Sequence, residues 1–350
     1  MHEKSRVPAA MKGDGKTVKL KKILLLLAIF YLIAALLPLL AFCRGSTGNE
    51  GEGSKSTEPK SSSGVSAAQT EPTGEEFRIQ DADGTILTVS DEEFVRGGLA
   101  AEVPPTWETD ALKAQGIALY TYYSRLREQN RAKGGDEPDF TCDTDKGLVY
   151  VPQEGRKERW GDQWEEWEKT LVTVEKSIRG LTLQSEGELV CATFFAISSG
   201  NTDSAADVWG GEADCLLPAA SAGDVFASGY LSTVTMTEEE ARKAIQSAFP
   251  KAELGKDPKG WLTELHRSDS GTVLSGKIGG AEATGTQIRN TFGLRSANFD
   301  WKFADGKFTF TVRGWGHNVG MSQTGAQYMA QNGASCQQIL AWYYPGSELV

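Results

Sequence analysis

The chain has 350 residues, and its 39% hydrophobic content is enough to bury a substantial core in one large domain or two small ones. Residues 1–22 carry seven Lys/Arg and two acidic groups; taking that +5 from the whole-chain −11 leaves −16 for the rest. Such an acidic remainder argues against nucleic acid as the main partner and leaves neutral or weakly charged polymers open.

The basic stretch is followed by an uninterrupted apolar run, Ile23–Cys43. Its length matches the roughly 20 residues that cross a bilayer as a helix. It exceeds the apolar region of a secretory signal, and no small-x-small cleavage site follows, so it reads as an uncleaved anchor. The positive-inside rule keeps residues 1–22 as a cytoplasmic basic tail and puts everything after Cys43 outside. Phe42 before Cys43 is a poor setting for lipidation. The other cysteines, Cys142, Cys191, Cys215 and Cys336, allow three pairings that spacing cannot choose between, or four buried thiols.

Residues 44–76 are rich in Gly, Ser, Thr, Glu and Pro with almost no large apolar side chain, and read as a flexible linker. From Phe77 the pattern changes, and "FRIQDADGTILTVS" predicts two strands around Asp83–Gly84. Ser90 followed by Glu93 is a capping box for a helix with Phe94, Val95, Leu99 and Val103 as its buried stripe. Pro104–Pro105 stops it, which leaves Glu102 in the last turn. A second helix over about Thr109–Gln129 offers Ala111, Ala114, Gly116 and Ala118 for close contact, so the two helices form a corner with Glu102 at the bend.

Farther on, a helix is expected around Trp164–Ile178, with Trp160, Trp164 and Trp167 reading as core. "GLTLQSEGELVCATFFAISSG" predicts a hairpin ending in a polar loop, Ser198–Thr202, of the kind that carries binding groups. Helices follow at Thr237–Phe249, at Thr284 with Gln287, after Ser322, and at Ser335 with Gln338; strands are expected near Thr272–Lys277 and at "KFTFTVRGWG". Helices and strands do not alternate regularly, so the expected class is α+β, a single mixed domain over 77–350 behind the transmembrane helix and linker.

His317, in "RGWGHNVGMSQTG", invites three readings. A zinc site lacks partners at close spacing, since His2 is cytoplasmic and His266 stands alone. A Ser-His pair would need Ser322 or Ser199 on a nucleophile elbow, and no Gly-x-Ser-x-Gly exists. A substrate-binding residue and a structural loop histidine both stay open; the glycines at 314, 316 and 320 suit close approach of a ligand but form no dinucleotide fingerprint. Glu102 is the stronger acid/base candidate. The negative end of its helix and the apolar Ala100, Ala101 and Val103 both raise a carboxyl pKa, and a protonated acid is what glycosidic cleavage needs. The plain alternative is a solvated surface glutamate.

Four segments in order, "EEFVRGGLAAEVPPTWETDALKAQGIALYTYY", "FFAISSGNT" with "DVWGG", "GTQIRNTFGLRSANF" and "GWGHNVGMSQTGAQYMA" with "ILAWYYPGSEL", closely resemble the stage II sporulation protein D family (SpoIID/LytB domain) across about Phe77–Val350. The resemblance implies a membrane-held lytic transglycosylase that cuts peptidoglycan glycan strands, with a preference for strands stripped of stem peptides, during endospore engulfment. It also implies a complex with a partner amidase and a membrane protein. The family's catalytic glutamate lies in Ala-Ala-Glu-Met-Pro, here "AAEVP", which puts the role on Glu102. That residue would protonate the bond between N-acetylmuramic acid and N-acetylglucosamine. As carboxylate it would then take the proton of the muramyl 6-hydroxyl as that oxygen closes on C1, giving a 1,6-anhydro end. Water is not the nucleophile, so no second carboxylate at fixed spacing is required. Ser199, Gly200, Asn201, His317 and Gln323 are expected to line the sugar groove.

Three departures stand out. Many relatives carry a metal motif resembling Cys-Asp-Thr-Thr-His-Cys-Gln-Val-Tyr, here "CDTDKGLVY"; Lys146 and Gly147 replace the histidine and second cysteine, so neither zinc nor another cofactor is expected. Asn318 and Thr324 replace a glycine and a tyrosine of the His-Gly-Val-Gly-Met-Ser-Gln-Tyr-Gly pattern, and loss of the aromatic would weaken sugar stacking. Asn201 stands where a second glycine is common. These changes motivate a rival reading, a non-catalytic glycan-binding or scaffold subunit of the engulfment machinery; a zinc hydrolase is disfavoured by the missing ligands.

Overall fold

The alternation around Asp83–Gly84 closes into a hairpin, β1 (Glu76–Gln80) paired antiparallel with β2 (Ile86–Ser90), with Phe77, Ile79 and Val89 buried. The computed structural model describes residues 71–211 and 215–350. The basic tail, the apolar run 23–43 and nearly all of the linker lie outside the described residues. Among the described residues no helix is long and apolar enough to cross a membrane.

Ser90 caps α1 (Asp91–Glu102) by accepting from the Glu93 amide. The reciprocal bond expected of a capping box is not made, because the Glu93 carboxylate accepts instead from Arg96, Tyr150 and Arg156. Helix α2 (Thr109–Ala132) runs three residues beyond the expected end. The two helices turn a corner at Pro104–Pro105 and pack closely, since a Cβ on Gly98 would come within 2.7 Å of the Leu119 side chain. A short strand, β3 (Phe140–Thr141), adds parallel to β1. Helices α3 (Gln153–Trp160) and α4 (Trp164–Ile178) follow. Arg156 of α3, wholly buried, bridges Glu93 of α1 and Glu168 of α4, which is how a buried charge is made tolerable. Trp160 stacks on Trp164 and meets Trp167 edge-on, as core rather than platform.

The predicted hairpin is β4 (Leu183–Ser185) with β5 (Glu188–Leu189); β6 (Phe194–Phe195) leaves it and leads into the polar loop. After α5 (Ala205–Trp209), a β-rich portion begins: β7 (Leu231–Thr237), α6 (Glu238–Ala248), β8 (Leu262–Arg267), β9 (Val273–Ile278), β10 (Ala281–Thr284), α7 (Gly285–Thr291), β11 (Phe299–Ala304) and β12 (Lys307–Arg313). Its two three-stranded antiparallel sheets run β10-β9-β8 and β11-β12-β7. They enclose a second core of Ile245, Trp261, Ile278, Ile288, Phe299 and Phe308, distinct from the first core built on α1, α2 and α4. The chain then returns to the first core through β13 (Met321–Ser322), α8 (Gln323–Gln331), α9 (Cys336–Tyr343) and β14 (Glu348–Leu349). Capping boxes at Thr237, Thr284 and Ser335 are complete, with both hydrogen bonds made. Small sheets of two or three strands amid nine helices of the described residues make the class α+β.

Candidate functional site

Strands β6 and β13 lie side by side and parallel, Phe194 opposite Met321 and Phe195 opposite Ser322. Parallel strands release their following segments at the same end, so the polar loop after β6 and the start of α8 emerge together. Thr324 seals the junction, donating from both its amide and its hydroxyl to the Ala196 carbonyl oxygen.

Gln323, the first residue of α8, is buried and donates from Nε2 to Glu102 Oε2 at 2.9 Å. The two residues are 221 positions apart, and the fold brings them into direct contact. Glu102 is the last residue of α1 and half-buried. Burial pushes its carboxyl above the usual carboxylate range, against the opposing pull of the Gln323 hydrogen bond. The bend at Pro104–Pro105 is held from the same helix, where Gln327 accepts from the Glu108 amide at 2.9 Å. A solvated surface glutamate would have neither the burial nor the buried partner.

His317 has a different situation. Its Nδ1 accepts from the Val319 amide at 3.2 Å, which leaves Nε2 to donate to the Phe194 carbonyl oxygen at 3.1 Å. Burial holds the imidazole down to about 4, so the ring is neutral near pH 7. It is flanked by the Phe195 and Trp209 rings at 5.3 and 5.2 Å. With both nitrogens engaged by backbone, the ring is placed as a brace between β6 and the segment that leads into β13. None of its hydrogen bonds reaches Glu102.

Ser199, Gly200 and Asn201 cluster around Asn318. The Asn318 Oδ1 accepts from the Ser199 amide at 3.2 Å, and Nδ2 donates to the Asn201 carbonyl oxygen at 2.9 Å and to Asp203 at 2.8 Å. Asn318 has φ of 69°, a left-handed conformation natural to the glycine it replaces and one that asparagine tolerates better than most residues. Gly200 also has positive φ, 109°, and accepts from the Ser221 amide. A polar cleft of about 510 Å³ opens beside this cluster, lined by Asn201, Asp203, Asp207, Arg267 and Ser270. A second, of about 480 Å³, is lined by Arg125, Cys191 and the exposed Trp209. Neither has Glu102 or Gln323 in its lining.

Thr324 explains the missing tyrosine. Its hydroxyl contacts Asp224, wholly buried, whose carboxylate also accepts from Ser322 Oγ at 2.9 Å and the Ser198 amide at 3.1 Å. Position 324 therefore faces inward and ties α8 to the polar loop, so a stacking role for it is not available here. Asp224 escaped the sequence reading altogether, because nothing local marks an aspartate in "SAGDVF" as a hub.

The metal-motif segment does not fit a zinc ion. Lys146 is exposed and pairs with Asp143 at 2.5 Å. Gly147 has φ of 63°, and a Cβ there would fall 2.1 Å from Arg159 Nη2. Cys142 is buried against Asp81, and its thiol is pushed up to about 12. Among the described residues no group of three His, Cys, Asp or Glu side chains is gathered closely enough to hold a metal. The four described cysteines are all free thiols.

A family model described as "Stage II sporulation protein" matches residues 80–178, the stretch that contains α1, the bend and α2. Stage II sporulation protein D of Bacillus amyloliquefaciens is 33% identical over 258 residues, covering 74% of this chain and 73% of that protein. Its counterpart in Bacillus subtilis strain 168 is 31% identical over 268 residues, with 77% and 76% covered. A protein of B. subtilis named amidase enhancer is 23% identical over 303 residues, 73% of this chain and 40% of that protein. On this similarity the chain belongs to the stage II sporulation protein D family, a family of sporulation proteins.

Proposed function

We propose that the protein is a membrane-anchored lytic transglycosylase that cleaves peptidoglycan glycan strands, stripped of stem peptides, during engulfment, with Glu102 as its acid and base. The observation that carries the reading is the Glu102–Gln323 pair: a half-buried carboxyl, raised by desolvation, held by one buried amide and with no second carboxylate bonded to it. A single carboxyl of that kind suits intramolecular closure of the muramyl 6-hydroxyl on C1, where one group gives a proton and then takes one back. Ser199, Gly200 and Asn201 beside the polar cleft, and the exposed Trp209, suit an uncharged polysaccharide. In this reading His317 supports the wall rather than touching the sugar. The apolar run 23–43 is the anchor, with the catalytic domain outside the cell. The likeness to a protein named amidase enhancer supports work beside an amidase, which would supply the stripped strands, and a membrane scaffold completes the complex.

The substitutions that favour the scaffold reading, Asn318 and Thr324, both occupy bonded positions in the wall, which weakens the motive for that rival. The products decide between them. Wild-type protein incubated with amidase-treated glycan strands is expected to release 1,6-anhydro-N-acetylmuramic acid ends. New reducing ends instead would make the enzyme a hydrolase, and strands bound but uncut would make it a scaffold.

A further inference from the structure

Gln115 of α2 is 1% exposed, yet among the described residues neither its amide nitrogen nor its amide oxygen has a hydrogen-bond partner. Buried polar atoms are ordinarily paired, and a carboxamide with both ends open is a costly feature that a core position would replace with leucine. Its location gives it a use.

Helices α1 and α2 run antiparallel from the bend, with a contact at each turn. Asp91 holds Arg127, Phe94 packs on Tyr123 and Gly98 meets the tip of Leu119. Each turn toward the end of α1 is matched by a turn toward the start of α2. Glu102 is one turn beyond Gly98, and Gln115 one turn before Leu119, on the same two facing stripes. Gln323 reaches Glu102 Oε2 from α8, and Oε1 accepts no hydrogen bond from the described residues.

We propose that Gln115 is a positioning residue for Glu102, its amide oxygen being the acceptor reserved for the hydroxyl of the protonated carboxyl. With its oxygen toward Glu102, the amide accepts from the acid and offers nothing to the carboxylate, so this orientation favours the acid and releases the carboxylate for the second step; an amide turned nitrogen-first would do the reverse. The titratable groups on the neighbouring elements are the Tyr123 phenol on α2, which the Glu102 charge helps to hold up, the Arg159 guanidinium, which reaches the Ala100 carbonyl oxygen, and Glu108 beyond the bend, whose amide is bonded to Gln327. A carboxylic acid has a proton to donate, and none of these is an open carboxamide at its level. The role in cleavage rests on the transglycosylase reading; the pairing itself does not.

The test replaces Gln115 by Leu and by Asn in the full-length chain in detergent micelles, and follows the Glu102 carboxyl by carbon-13 NMR titration alongside thermal unfolding and strand cleavage. In Gln115→Leu the Glu102 midpoint is expected to fall by about 0.7 pH unit, the worth of one ordinary hydrogen bond. Unfolding temperature is unchanged or higher, and the alkaline limb of cleavage moves to lower pH. Gln115→Asn, with the amide on a shorter stem, restores part of the midpoint and keeps the proposal testable should the Leu variant not fold. An unmoved Glu102 midpoint in the folded variant overturns the proposal, whatever happens to stability. If the wild type cuts no strands, the functional reading fails while the titration still decides the pairing.

Discussion

Glu102 and Asn318 anchor two polar regions of one wall, and they differ in how far the protein fills their hydrogen-bonding positions. Asn318 is saturated: its amide serves Ser199, Asn201 and Asp203, and nearby Asp224 does the same for Ser198, Ser322 and Thr324. Glu102 is held by one bond from Gln323, and Gln115, the residue proposed to pair with it, has no hydrogen-bond partner among the described residues. A closed network fixes a loop in one place; an open one keeps capacity for a reacting group. In the proposed reading this difference separates scaffold from chemistry better than residue type does, since histidine is the usual acid–base residue and here both its ring nitrogens are bonded to backbone.

The comparison breaks first where the closed network is cut. Asp224→Ala leaves the Ser322 hydroxyl and the Ser198 amide without their buried acceptor, removes a contact of the Thr324 hydroxyl, and is expected to cost at least about 3 kcal/mol in unfolding free energy, read by urea denaturation. A loss under about 1 kcal/mol would mean that the hub is not holding the loop to α8. Asn318→Ala combines a lost hub with an alanine forced to positive φ, so about 2–3 kcal/mol is expected; Asn318→Gly relieves the backbone and recovers about 1 kcal/mol. If the two variants prove equal, the left-handed backbone is not what asparagine tolerates there.

Taken per pH unit, the smallest effect is that of His317. Its folded value near 4 lies below the ordinary 6.5, so the unfolded chain binds the proton first as pH falls. Stability from this group is complete above about pH 6.5 and declines through the window down to about 4, by no more than about 1.4 kcal/mol per pH unit. The other titrating groups add their own slopes, so the measurement is the difference between wild type and His317→Gln over that window. A histidine titrating at its ordinary value would give no difference and would place the ring in open solvent.

Much of the helical half was legible in the sequence because its signals are local. Ser90, Pro104–Pro105 and the stripe Phe94, Val95, Leu99 and Val103 fix α1 and its bend, and thereby the setting of Glu102. Glu93 shows the limit: the capping-box pattern was present, but a buried arginine 63 residues away claimed its carboxylate. Strands β7, β8, β10 and β11 left weaker marks, since each is an edge strand of its three-stranded sheet and carries few fully buried side chains. Around the site, Gln323 was readable as a wall residue through the motif that carries it, whereas Asp224 and Gln115 were not. Their meaning lies in pairings, or in missing pairings, with residues up to a hundred positions away.

The most direct test of the central claim measures strand binding and strand cleavage on one preparation of Glu102→Gln beside wild type. Glutamine keeps the shape and a hydrogen bond to Gln323 but neither gives nor takes the catalytic proton. Binding is expected within a few-fold of wild type, and cleavage reduced by about 10²–10⁴-fold or more. Cleavage at the wild-type rate would contradict the claim and remove Glu102 from the chemistry.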